Sequence, residues 1–493
     1  MIDKQIKSKK RVKELAEVYT NEREVNSMLD LIPIKSAEEQ LSYTYLEPAC
    51  GNGNFLIKIL ERKLNSIKNQ KNYNDTLKQY ELLVLKAVST IYAIDICPEN
   101  VFESKERLFN GIKSYLDLTR NKEDMSEYFI KSINYILNKN IVVGNFIDEN
   151  NQINFNDIGK EEMKFNVIIG NPPYHLSDGG GGTGKPIYQN FINKSISVSP
   201  KYLIMIVPSR WMAGGEVVLD KFREQMLNDK RLRSIYDFKD AQVCFPSVGF
   251  GGGVNYFLWD RDYNGSCEYT FKDENGESKT NLNLSKYKIL VRKIDSLDLL
   301  NKILNKDSNF FGRKTIGSVK TFVDEKVSKT HFRSNFKDFK IEKDDINNIE
   351  LYGKKADGAR NDKMVGYVNK SQITKNIEEI CKYKVLTQKT SDDVNVLSEP
   401  FLAEPNSVWT ETNFQIGWGM NYNKEECLNL IKYLKTKFVR FLISLAKISH
   451  NMSFKVFIFV PILDMKIEWT AKMLYERYDL TDSEIKHIEA SIK

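Results

Sequence analysis

The sequence predicts an α/β protein: a mainly parallel sheet, followed by a C-terminal region of mixed α+β character. Three observations carry that reading. Apolar runs of four to seven residues recur through the first half of the chain, as buried parallel strands do. These runs end in acids, amides or glycine turns rather than hairpin signals. Longer helix-compatible stretches separate them, which is the βαβ pattern.

The first run, Tyr43–Leu46, leads into Glu47-Pro48-Ala49-Cys50-Gly51-Asn52-Gly53-Asn54-Phe55 and then a helix from about Leu56 to Lys63. Strand, Gly-x-Gly turn and helix form the geometry of a nucleotide cradle. Glycine lets a backbone approach a ligand closely. The third glycine of the dinucleotide fingerprint is missing, and Glu47 stands at the strand end. A carboxylate there disfavours a pyrophosphate and suits a cationic group such as an ammonium.

The second strand, Ile91–Asp95, also ends in an acid. Such an acid can accept both hydroxyls of a ribose; the alternative is a plain strand-end acid at the surface. Asp95 comes about 40 residues after the glycines, roughly twice the usual interval. The polar, helix-compatible stretch from Asn65 to Thr90 makes up the difference. Ile141–Asn145 reads as a third strand with a polar end.

The fourth run, Phe165–Gly170, delivers Asn171-Pro172-Pro173-Tyr174, and a glycine-rich loop follows from Ser177 to Gly184. The Asn171 side-chain oxygen and the Pro172 carbonyl can each accept a hydrogen bond from an NH2 group. Neither proline has an N–H to compete, and each ring fixes φ. Tyr174 offers a flat face on which a base can stack. The group suits chemistry at an exocyclic or side-chain amine. Taken alone it is also an ordinary proline turn.

Tyr202–Pro208 continues the sheet, followed by Ser209-Arg210-Trp211. Lys230–Arg233 reads as a helix C-terminus whose cations meet the dipole. Next come Val243-Cys244-Phe245-Pro246, the glycines at 249 and 251–253, and a strand over Val254–Trp259.

Together these motifs resemble the gamma-class N6-adenine DNA methyltransferases of bacterial restriction–modification systems, the TaqI-like group. That resemblance implies a Rossmann-like S-adenosylmethionine-dependent methyltransferase sheet with a C-terminal target-recognition domain. It implies S-adenosyl-L-methionine as cofactor, held by Tyr19, Thr20, Glu47, Ala49, Gly51, Gly53, Phe55, Asp95, Ile96, Asn145 and Phe146. Ala16–Thr20 resembles the family's last motif, with Ala16 where the family has glycine. Asn145 stands where the family usually has an aspartate. Asn171, Pro172, Pro173 and Tyr174 match the catalytic motif, and Phe245 falls where an aromatic covers the other face of the flipped base. The alternative for Phe245 is a core phenylalanine. The implied substrate is double-stranded DNA, and a cognate restriction endonuclease is an implied partner.

Composition bounds these readings. The 493 residues allow two or three domains. The net charge of +7 permits a local nucleic-acid patch without proving one. The six cysteines and four histidines lack metal-ligand spacing, and no disulfide framework is suggested. With a charged N-terminus and no membrane-length apolar run, a reduced cytoplasmic setting is expected.

The polar stretch Asp260–Lys286 marks a boundary, giving domains over 1–285 and 286–493. Beyond it, Lys288–Leu304 reads as a strand and then a helix. Residues 310–425 mix short strands with charged turns. Leu428–Ile448 reads as one amphipathic helix and Thr470–Lys493 as another helical stretch, with a start at Thr481–Glu484. Basic and aromatic residues alternate over Lys329–Phe339 and Tyr352–Arg360, as base and phosphate contacts require; a solvated surface fits them too. Other amines (cytosine N4, an rRNA base, a protein glutamine), a bifunctional restriction–modification protein, and a non-catalytic specificity subunit stay open as alternatives.

Overall fold

The computed structural model describes residues 18–68, 76–119, 125–148, 164–176, 184–213, 217–247, 249, 251–311, 331–333, 335–353, 364–389, 391, 396–447, 452 and 454–492. It divides into two compact units. The first comprises residues 1–211 and 218–288, the second 212–217 and 289–493. Ala16, Glu17, the loop residues 177–183 and the whole 354–360 turn lie outside the described residues.

The first unit is built on a nine-stranded sheet. Its strands are β1 (Tyr45–Glu47), β2 (Ile91–Asp95), β3 (Ile141–Val143), β4 (Val167–Gly170), β7 (Tyr202–Pro208), β8 (Leu232–Phe238), β9 (Val254–Asp260), β10 (Cys267–Asp273) and β11 (Gly276–Leu282). A separate two-stranded pair, β5 (His175–Leu176) and β6 (Lys185–Pro186), follows β4. The sheet order is β11-β10-β8-β9-β7-β4-β1-β2-β3. Strands β3, β2, β1, β4 and β7 are mutually parallel, and β9 runs against both β7 and β8. The chain passes from β1 outward to β3, then returns to place β4 on the other side of β1. That reversal is the topological switch point, where α/β sheets open a crevice at the carboxyl ends of their strands.

The helices of this unit are α1 (Glu22–Leu29), α2 (Ala37–Ser42), α3 (Asn54–Lys68), α4 (Leu77–Ser89), α5 (Pro98–Thr119), α6 (Glu127–Asn140), α7 (Tyr188–Ser197) and α8 (Asp220–Asn228). The long interval between the glycines and Asp95 holds all of α3 and α4. Strand β4 is fully buried, as its unbroken apolar run predicts. Lys63 of α3 is completely buried. Its ammonium donates to the carbonyls of Gln40, Leu41 and Tyr43 at 2.8–3.2 Å. These include carbonyls at the end of α2 that lack an intrahelical partner. Burial pushes the amine down to about 7, and the tie fixes the chain where it enters β1.

Three expectations are corrected. Lys230–Arg233 is not a helix end: α8 stops at Asn228 and β8 starts at Leu232. The Asp229 carboxylate accepts the Arg231 N–H at 3.0 Å and turns the chain, while the Arg231 guanidinium lies over Trp259. Leu428–Ile448 is two helices, α10 (Lys424–Lys435) and α11 (Lys437–Ala446). Thr436 between them is extended, and its hydroxyl caps α11 by accepting from Val439. Third, no strand forms between Lys288 and α9 (Leu297–Lys306); a short 3-10 turn, Ile294–Ser296, leads into the helix instead.

The second unit has mixed α+β character, as expected. One three-stranded sheet joins β13 (Met364–Asn369), β12 (Asn347–Tyr352) and β16 (Ser407–Trp409). Another joins β15 (Phe401–Ala403), β14 (Lys384–Gln388) and β17 (Asn413–Ile416). The chain closes with α12 (Ala471–Arg477) and α13 (Asp482–Ser491). Thr481 and Glu484 form the capping box read from the sequence.

Candidate active site

A cleft of about 1120 Å³, including its open mouth, lies at the carboxyl ends of β1, β2, β3 and β4. Of the residues singled out in the sequence, Tyr19, Thr20, Glu47, Ala49, Gly51, Phe55, Asp95, Ile96, Asn145, Phe146, Asn171 and Pro173 line it. Gly53, Pro172, Tyr174 and Phe245 do not.

The loop after β1 is held from several sides. Asp95 accepts the Gly51 N–H at 2.8 Å through one oxygen. Its other oxygen accepts the Cys97 N–H and the Asn100 amide. Ser104 of α5 donates to the Gly51 carbonyl, and Arg107 donates to the Asn52 carbonyl and the Asn54 side chain. The glycines make room for protein neighbours as well as for a ligand. Gly51 has φ +51°, and a Cβ there would lie 3.1 Å from the Tyr19 ring. Gly53 has φ +85°, and a Cβ would meet the Ser104 hydroxyl at 3.0 Å. Sequence reading missed Asn100, Ser104 and Arg107. Those on α5 follow Asp95 at helical intervals, but no residue type there announces the contact.

Glu47 is 2% exposed, and one of its carboxylate oxygens has no hydrogen-bond partner within the protein. Burial pushes its carboxyl well above the usual range. Asp95 adds to the rise and Arg107 opposes it. Gly170 on the neighbouring β4 lies against the side chain, where a Cβ would make ordinary van der Waals contact with the Glu47 Cγ at 3.4 Å. Thr20 Oγ1 and Asn52 Oδ1 are likewise buried without partners in the protein. Leaving such groups unmet is costly, so their gathering in one cleft marks a site built for a polar guest. Phe146 and Phe191 stack at 6.0 Å to form an apolar wall, and Ile96 is 62% exposed at its edge. The Asn145 side-chain oxygen accepts from its own loop, at Ile147.

Asn171 leaves β4 directly into the cleft. Its Nδ2 donates to the Val18 carbonyl at 3.0 Å, and its buried Oδ1 has no partner within the protein. The donor end of the amide is thus occupied and the acceptor end is offered. His175, which follows the motif, also lines the cleft; the sequence reading had weighed it only as a metal ligand.

Tyr174 and Phe245 lie beside the cleft rather than in it. Their ring centroids are 6.5 Å apart and the planes meet at 82°. Tyr174 is partly exposed but its hydroxyl is buried, and burial pushes the phenol well above its ordinary range. Phe245 is fully buried in the main hydrophobic core of the unit. A base could enter between the rings only if this edge-to-face pair opened. Among the described residues, no group of three or more His, Cys, Asp or Glu is placed to hold a metal, and no helix is long and apolar enough to cross a membrane.

Comparisons with known proteins bear on the family and the fold. Residues 89–245 match the family model of the Eco57I restriction-modification methylases. A stretch of 139 residues is 37% identical to an uncharacterized adenine-specific methylase of Mycoplasma pneumoniae, covering 28% of this chain and 33% of that protein. The chain therefore spans about a third of the length of the curated relative it matches. Among solved structures, the type IIL restriction-modification enzyme MmeI in complex with DNA is similar over 92% of this chain and 69% of its own, with a TM-score of 0.55 and 10% identity. The fold is that of an α/β methyltransferase.

Proposed function

We propose that the chain is an S-adenosylmethionine-dependent DNA methyltransferase acting on the N6 amine of adenine, and that it serves as the modification component of a restriction–modification system. One observation carries the reading: the unpartnered Asn171 oxygen shares a cleft with the unpartnered Glu47 oxygen. The first suits an amine that is to be alkylated, the second a cationic ligand. The adenine-specific relative supports adenine over cytosine, and the match over residues 89–245 supports a methylase of a restriction-modification system.

The residues present fit the cofactor. Glu47 would take its ammonium, Asp95 its ribose hydroxyls, and the wall of Ile96, Phe146 and Phe191 its adenine. When bound, the cofactor supplies an electrophilic methyl group. Asn171 Oδ1 and the Pro172 carbonyl would hold the target amine in line with that methyl and stabilise positive charge growing on nitrogen. The proton lost from nitrogen leaves to solvent. Opening of the Tyr174–Phe245 pair would admit the flipped base. The second unit, with its short strands and interleaved basic and aromatic residues, is proposed to recognise the DNA target. A cognate restriction endonuclease and a cytoplasmic setting belong to the same proposal.

The test is direct. The protein is incubated with unmethylated genomic DNA and labelled cofactor, and the DNA is digested to nucleosides for mass spectrometry. N6-methyladenine is the expected product. Finding only N4-methylcytosine would reassign the base, and label in protein but not DNA would favour the glutamine alternative. No transfer to any acceptor would remove the enzymatic reading.

A further inference from the structure

Residues Val18–Glu24 form a strap that touches both ends of the cleft. At the cofactor end, the Thr20 carbonyl accepts the Asn54 side-chain amide at 3.0 Å, and Tyr19 packs over Gly51. At the catalytic turn, the Val18 carbonyl accepts from Asn171. Farther along, Asn21 Nδ2 donates to the Cys244 carbonyl at 3.2 Å and Arg23 donates to the Val243 carbonyl at 2.5 Å. Those two carbonyls immediately precede Phe245, the partner of Tyr174.

Asn21 makes this contact instead of a more local one. It is the N-cap residue of α1, a position where asparagine normally accepts a hydrogen bond from its own helix. Here its side chain makes no cap bond. The amide is committed to Cys244, more than 200 residues away in sequence. The helix start is left uncapped by that side chain, and the segment carrying Phe245 is fastened.

We propose that the strap couples the two ends of the cleft, with Asn21 as a positioning residue that fixes the segment Ala241–Phe245 when the cofactor engages Tyr19 and Thr20. This rests on the cofactor reading above. Cofactor binding would order the strap, the strap would hold residues 241–245, and the gap between Tyr174 and Phe245 would then be set for the incoming base. Arg23 supports the same loop through the adjacent carbonyl.

The discriminating variant is Asn21→Asp. Aspartate is a good N-cap and an acid at a helix N-terminus is favourable, so α1 is at least as stable. Its carboxylate cannot donate to the Cys244 carbonyl, so the fastening is left to Arg23 alone. Amide hydrogen exchange is followed with and without S-adenosylmethionine. In the wild type, cofactor is expected to slow exchange in both 18–24 and 241–247. In Asn21→Asp it should slow the first segment as before and the second clearly less than in the wild type, since only the Arg23 bond then holds it. Methyl transfer to unmethylated genomic DNA should fall by about tenfold in kcat, with cofactor affinity within about twofold of wild type. Equal protection of 241–247 in both proteins would overturn the coupling, as would wild-type protection confined to the strap. Absence of protection in 18–24 and 47–55 alike would instead mean that the cleft does not take the cofactor, which removes the reading on which the coupling stands.

Discussion

The two ends of the site, the cleft itself and the aromatic pair beside it, are prepared in opposite ways. At the Glu47–Asp95 end, the loop is pinned by Asp95, Ser104 and Arg107, and oxygens of Glu47, Thr20 and Asn52 are buried without partners within the protein. At the Tyr174–Phe245 end, two rings meet edge to face and Phe245 is part of the hydrophobic core. One end is preorganised for a small charged ligand. The other must separate an aromatic pair before a base can enter. Preorganisation lowers the ordering cost of binding, so the cofactor end should bind on its own. The base end should draw on the energy of DNA binding.

The largest effect expected from this contrast is on stability. Phe245→Ala should lower the free energy of unfolding by about 3–5 kcal/mol, the usual cost of removing a buried phenylalanine. Tyr174→Leu keeps an apolar side chain at a partly exposed position and should cost clearly less stability but more activity. Urea denaturation measures the first quantity and labelled-methyl transfer the second. If both variants lost stability equally, the rings would be one core pair and the contrast would collapse.

Next in size is Asn171→Ala. Its oxygen acts mainly where charge develops in the transition state, so kcat should fall by about 10²- to 10³-fold. Cofactor affinity should change little, because Glu47 and Asp95 carry that end. Single-turnover kinetics beside calorimetry would separate the two. A loss confined to cofactor binding would show that Asn171 serves the strap through Val18 and not the amine.

Much of this site was legible in the sequence because chemistry and backbone geometry coincide there. Glu47, Asp95 and Asn171 sit at or just beyond strand ends, where apolar runs stop, and a single chain displays such stops. The Phe245 position was legible but its state was not: a core phenylalanine and a base-stacking phenylalanine look alike in one sequence. Contacts made by helix faces were not legible. Arg107 and Ser104 read as ordinary helix residues until α5 is laid against the glycine loop. The breaks at Asn228 and Thr436 were missed for a similar reason. At each a side chain ties the turn: Asp229 accepts from the Arg231 backbone and guanidinium and from the Trp259 indole, and Thr436 accepts from Val439.

A smaller effect is expected at Glu47. Glu47→Gln keeps the shape and removes the charge that would meet the ligand's ammonium. Cofactor affinity should weaken about tenfold, or about 1.4 kcal/mol. Calorimetry checks this directly, and an unchanged affinity would take Glu47 out of the ligand's reach.

The smallest effect is a fraction of a proton, and it tests whether the cofactor end is preorganised at a cost. Burial raises the Glu47 carboxyl well above its ordinary value of 4.5. A folded-state value above the unfolded one means that the free protein holds more protons than the unfolded chain between those two values. Its stability contribution is therefore complete below 4.5 and is lost as pH rises through the raised value. A cationic ligand favours the carboxylate and pulls that value back down. Binding should then release protons, and affinity should rise with pH across the same window. Titrations in two buffers of different ionisation enthalpy read the release as a difference in apparent binding enthalpy. Glu47→Gln should abolish it while leaving any release from other groups. Identical enthalpies for the wild type in both buffers would mean that Glu47 is already ionised before the ligand arrives. Its unpartnered oxygen would then be satisfied by solvent, and the cofactor end would be no more strained than the rest of the sheet.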